Sequence, residues 1–142
     1  LMPTYDQGSD WARNRWAGTL QGPELRATIG IGYPAGVGAG GTVTQATNKS
    51  TGVTLNAATG LITMNGAALA SDTIVSFTLT NSFIADLDLV AIQHDSVATV
   101  GAYVFNCQPA AGSAVINVTN ITTGSLSEAI VLRFMVFKGS ST

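Results

Sequence analysis

The chain has 142 residues, of which 46% are hydrophobic and only 10% charged, with a formal net charge of −2 and a single cysteine. This supplies the core of one domain and excludes a disordered segment. Six Lys and Arg residues spread from Arg13 to Lys138 exclude the clustered cations that nucleic acid requires, and no apolar run approaches the roughly 20 residues that cross a bilayer.

Ordinary soluble domains are about 25% charged. The polar surface here must therefore be carried by Ser, Thr and Asn, with part of the remainder covered by other subunits. Cys107 cannot form a disulfide or a thiolate zinc site within one chain. Alternating with Tyr103 and Phe105, it reads as a buried, inert thiol. A chain that opens at Leu1 with no signal segment reads as a piece of a longer protein.

In chain order, residues 1–32 read as a leader or connector. They hold Trp11 and Trp16, most of the arginines, a Gly22-Pro23 turn and a possible strand over Leu25–Ile31. Residues 33–41 form a Gly-rich linker, and 42–142 the C-terminal β domain. From Thr42 onward, short runs of Val, Ile, Thr and Phe alternate with Gly, Asn, Ser and Pro, the pattern of a sandwich or barrel. Val53-Thr54-Leu55 and Leu61-Ile62-Thr63 flank Asn56-Ala57-Ala58-Thr59-Gly60, which predicts a hairpin. In Thr73–Thr80, Val75, Phe77 and Leu79 share one face, while Ser76, Thr78 and Thr80 make the other hydroxyl-rich and uncharged. Leu87–His94 and Ile130–Phe137 are apolar on both faces. With no helix predicted to cover the second face, the expected cover is another copy of the chain. The reading is an all-β, antiparallel β-sandwich, jelly-roll-like and homotrimeric.

The chemical motifs are weak. Gly36-Val37-Gly38-Ala39-Gly40-Gly41 matches GxGxxG, yet a strand-like Thr42-Val43-Thr44 follows where a dinucleotide site needs a helix. Asp86 and Asp88 would share a strand face, but with no third acid nearby they read as a solvated loop end and not as a cation or glycosidase site. His94-Asp95-Ser96 holds triad residue types that, adjacent on a strand, point apart. Ser125-Leu126-Ser127-Glu128 fits a capping box ahead of a strand-like run, so it means one helical turn at most. Asn48, Asn117 and Asn120 begin glycosylation sequons, without a secretory signal to make them relevant. No catalytic residue, metal site or cofactor is expected.

At Gly41-Thr-Val-Thr-Gln-Ala-Thr-Asn-Lys-Ser-Thr-Gly-Val-Thr-Leu-Asn56, Gly60-Leu-Ile-Thr-Met-Asn65, Gly124-Ser-Leu-Ser-Glu-Ala-Ile-Val-Leu-Arg-Phe134 and Lys138-Gly139, the chain resembles the C-terminal module of bacteriophage and prophage tail fibres and tailspikes. The resemblance covers roughly residues 33–139. It implies a homotrimeric β-structured tip on the virion tail, joined to a preceding domain of the parent chain and touching bacterial surface polysaccharide or lipopolysaccharide. Two other readings remain: part of a polysaccharide-degrading tailspike whose site forms between chains, and a free-standing carbohydrate-binding module. Candidate recognition residues, taken from strand ends and polar aromatics, are Asn81, Ser82, Asp86, Asp88, Gln93 and Tyr103. No nucleic acid and no membrane insertion are expected.

Overall fold

The computed structural model describes residues 32, 33 and 39–139. The predictions made for Trp11, Trp16, the Leu25–Ile31 strand, the rest of the leader and most of the Gly-rich linker lie outside these residues. Eight strands are present: β1 (Thr42–Thr44), β2 (Val53–Thr54), β3 (Thr59–Thr63), β4 (Ile74–Thr80), β5 (Leu89–Ser96), β6 (Tyr103–Ala110), β7 (Ser113–Asn120) and β8 (Val131–Phe137). No helix occurs among the described residues.

The strands form two four-stranded sheets, ordered β1-β3-β8-β5 (sheet A) and β2-β4-β7-β6 (sheet B). Alternation along each strand dictates which side chains meet. Ile62, Leu132, Phe134 and Val136 of sheet A and Phe77, Leu79, Ile116 and Val118 of sheet B are buried and belong to one shared apolar cluster, an arrangement consistent with a β-sandwich. At one side β5 and β6 approach, with the His94 and Phe105 rings 6.2 Å apart.

Two expectations are corrected. The sheets are mixed, not antiparallel, because the edge strands β1 and β2 run parallel to β3 and β4. The hairpin expected over residues 53–63 does not form: β2 hydrogen-bonds to β4 in sheet B, while β3 lies between β1 and β8 in sheet A. The segment between them crosses from one sheet to the other. Ala57 and Ala58 are buried there, and Leu55 N–H donates to Thr80 while Val136 N–H donates to the Ala58 carbonyl. Gly60, placed in a turn by the sequence pattern, sits inside β3, where a Cβ would come within 2.6 Å of Leu55 and 3.0 Å of Phe134. The tight hairpin present is β6–β7, turned at Ala111-Gly112, where Gly112 takes φ +74°.

Buried amides tie the loops at both ends. At the first end, Asn81 is fully buried. Its Nδ2 donates to the Ala57 carbonyl at 2.7 Å, its Oδ1 accepts from Phe83 N–H at 2.9 Å, and its N–H reaches Gly112 O. At the second end, Asn120 does the same with Leu69 and Gly124 carbonyls at 2.9 and 2.8 Å. This closes the sequon at Asn120 to any modification in the folded chain. Asn81→Ala should therefore lower unfolding free energy by about 1–3 kcal/mol in urea titrations with an unchanged m-value, since it strands a buried carbonyl and N–H. A change below about 0.5 kcal/mol, the level of an ordinary surface substitution, would contradict this role.

Candidate functional site

The sequence-derived recognition residues do not converge. Asn81, Ser82, Asp86 and Asp88 lie in or beside the loop between β4 and β5 at the first end. Tyr103 starts β6 at the other end of the sandwich, and Gln93 faces outward from the middle of β5. Asn81, Asp88 and Tyr103 are buried, so they are corrected from contact residues to internal supports. Ser82 and Asp86 are exposed, and Ser82 N–H is held by Asn56 Oδ1 at 2.9 Å.

Asp88 anchors the first end. Its carboxylate accepts from Lys138 Nζ at 2.5 Å, from Ala85 N–H at 2.8 Å and from Gly139 N–H at 3.0 Å. Lys138 also donates to the Phe83 carbonyl at 2.8 Å, so one ion pair binds the β4–β5 loop to the segment after β8. Gly139 is required at this approach, because a Cβ there would lie 1.8 Å from Leu87 O. The Lys138 ammonium and the Ala85 N–H hold the Asp88 carboxyl down to about 2.

The second end contains a cluster that no sequence pattern signalled. Lys49 is buried and donates to the Asn65 and Glu128 backbone carbonyls at 2.6 and 2.5 Å. Burial lowers the Lys49 pKa, and the Glu128 charge opposes that shift. The Glu128 carboxylate accepts from Tyr103 OH at 2.6 Å, Thr99 Oγ1 at 2.8 Å and Thr99 N–H at 3.1 Å. These bonds hold the Glu128 carboxyl below its usual range, while burial and then Glu128 push the Tyr103 phenol up. Buried Gln45 supports the same end, donating to the Lys49 and Thr51 carbonyls and accepting from Asn65 N–H. Glu128, at the end of the Ser125–Glu128 stretch that matched a capping-box pattern, bonds instead to Thr99 and Tyr103 and latches the β5–β6 loop and the start of β6 to the segment before β8.

His94 Nε2 contacts the Val97 carbonyl at 2.5 Å, and Asp95 turns to Arg133 at 2.7 Å. A register shift between His94 and Ser96 frees Asp95 for that pairing, and the three adjacent residue types share no relay. Cys107 is half-buried, its thiol pushed up to about 11 by burial. Among the described residues no three His, Cys, Asp or Glu side chains gather as a metal site needs. Tyr33 OH donates to the Val136 carbonyl, fastening the chain before β1 to β8.

The two outer sheet faces remain, and they differ in chemistry. On sheet A, register aligns Leu89 with Phe137, Ala91 with Met135, and Gln93 with Arg133. Leu89 is 65% and Phe137 47% exposed, with Leu87 and Phe83 exposed beside them. A groove of about 210 Å³ lies here, walled by Ala91, Gln93, Arg133, Met135 and Phe137. Its one cation, Arg133, is neutralised by Asp95. On sheet B, the outward positions of β4, β7 and β6 are Ser, Thr, Asn, Gln and small or branched apolar residues, with no charge. Comparisons with protein-family models, with curated proteins and with solved structures gave no match.

Acid tests the first-end anchor. A carboxylate whose folded pKa lies below its unfolded value stabilises the fold above the unfolded value, and this contribution is lost as pH falls through the folded one. Between pH 5 and pH 2 the urea midpoint of the native chain should fall, and Asp88→Asn should start lower at pH 5 and fall less steeply. Parallel curves would show that Asp88 carries no such linkage.

Proposed function

We propose that this chain is the C-terminal assembly and host-recognition module of a bacteriophage tail fibre or tailspike, working as a homotrimer of jelly-roll-like sandwiches at the tip of the virion tail. The observation that carries the reading is the apolar outer face of β5 and β8, where Leu89, Ala91, Met135 and Phe137 stand together outside the core. An apolar patch rimmed by polar groups is the chemistry of a protein interface. The strands that form it are those whose sequence is apolar on both faces, and burying it costs no unpaired charge, since Arg133 already has Asp95.

The number three comes from the resemblance to phage tips. Cyclic trimers use heterologous contacts, with one surface of a copy meeting a different surface of the next. The chain offers a second apolar group for that role in Val97, Val100 and Ile121, at the opposite end from Phe83 and Leu87. Three copies of one weak surface-polysaccharide site would gain up to about 10²–10⁴ in avidity where geometry allows joint engagement. Assembly would then supply the affinity that a single site lacks. No catalytic role is assigned to this chain: its acids are scattered or tied to structural partners, as Asp88, Asp95 and Glu128 are.

Light scattering on the purified chain should give the mass of three copies. Phe137→Asp, placing a charge on an exposed interface position, should give a folded monomer, whereas Phe134→Asp, in the core, should not fold. A native chain that is monomeric at micromolar concentration overturns the trimer. A Phe137→Asp variant that stays trimeric moves the interface elsewhere.

A further inference from the structure

Resting on the recognition reading above, we infer that the outer face of sheet B is the binding platform for a neutral polysaccharide, in place of the β4–β5 loop at the first end. The register aligns Ser76, Asn117 and Asn106 in one row across three strands. Ser76 Oγ donates to Asn117 Oδ1 at 2.6 Å, and Asn117 Nδ2 donates to Asn106 Oδ1 at 2.5 Å. The row is polarised. Its hydrogens run from β4 towards β6, leaving the Asn106 amide N–H groups as donors at one end and the Ser76 oxygen lone pairs as acceptors at the other. A sugar hydroxyl both donates and accepts, so it can complete such a row at either end.

The neighbouring row adds Thr78 and Gln108 on either side of Val115, and all three are exposed. Strands about 4.8 Å apart set these groups at the scale of a single sugar ring. At the second end Ile74 and Val104 flank Thr119, both about half exposed, which gives an apolar ledge for the C–H face of a sugar.

Charge decides the class of polymer. No outward position of β2, β4, β7 or β6 is cationic, whereas an anionic polysaccharide would call for Arg or Lys pairing. A second copy of this chain is a poor occupant, because covering the face with apolar side chains would strip water from its amides without replacing those bonds. A polyhydroxyl chain replaces them like for like. The loop is the weaker candidate, since two of its polar side chains, Asn81 and Asp88, are buried and bonded internally.

The test uses the full chain on an array of purified bacterial O-polysaccharides and capsular polysaccharides, some neutral and some rich in uronic acid. Binding should concentrate on neutral polymers. On the best of these, Asn106→Ala combined with Gln108→Ala should weaken binding about tenfold or more. Ser82→Ala combined with Asp86→Ala should leave it unchanged, and both variants should keep native mass and circular dichroism. If binding concentrates on acidic polymers, or follows Ser82 and Asp86 instead, the platform is wrong and host recognition stands. If no polysaccharide binds, the recognition reading fails and the platform with it.

Discussion

The constraint on which the rest of this structure depends is the single apolar core shared by two sheets. Ile62, Leu132 and Phe134 meet Phe77, Leu79 and Ile116, and this contact uses one face of each sheet. Every strand then has a second face to place. Among the described residues there is no helix, and the outer faces of both sheets include exposed side chains. What each of them meets is decided by the residues that alternate with the core.

Those residues divide by sheet. Along β8 the alternates are Val131, Arg133, Met135 and Phe137, and along β4 they are Ile74, Ser76, Thr78 and Thr80. Water solvates the second set well and the first poorly, so the two faces are suited to different partners. The proposed assignment of sheet A to self-association and of sheet B to a hydroxylated polymer rests on that difference. It also accounts for the low charge of the chain, because a face that packs against a copy and a face that hydrogen-bonds a neutral glycan both have little use for ions. Among the described residues, several of the charges have structural partners: Asp88 with Lys138, Asp95 with Arg133, and Lys49 beneath Glu128.

Much of this was legible in the sequence where periodicity carries the information. The one-sided alternation of Thr73–Thr80 and the two-sided apolarity of Ile130–Phe137 became β4 and β8, β4 with Phe77 and Leu79 inward as expected, β8 with one apolar face in the core and the other partly exposed in the single chain. The hairpin over 53–63 failed because a short polar connection ending in Gly looks the same whether the chain turns back or crosses to the other sheet. Here two small buried alanines and Asn81 make the crossing the better-packed choice. The parallel pairing of β1 and β2 was invisible for the same reason: two- and three-residue strands carry no register of their own. The burial of Asn81, Asp88 and Tyr103 among the candidate recognition residues was not legible, since an Asn at a strand end looks identical whether it faces solvent or, like Asn81 and Asn120, holds loop carbonyls inside the fold. Lys49 gave no signal because its partners, the carbonyls of Asn65 and Glu128, are backbone atoms distant in sequence.

The difference between the two faces is open to direct measurement. In a Cys107→Ser background, a cysteine would be placed on sheet A as Ala91→Cys or on sheet B as Thr78→Cys, both exposed positions of the single chain, and maleimide labelling followed by mass spectrometry in the native state and in denaturant. Position 78 should label at once, while position 91 should stay protected until the assembly is denatured. Equal and rapid labelling at both positions under native conditions would contradict this expectation.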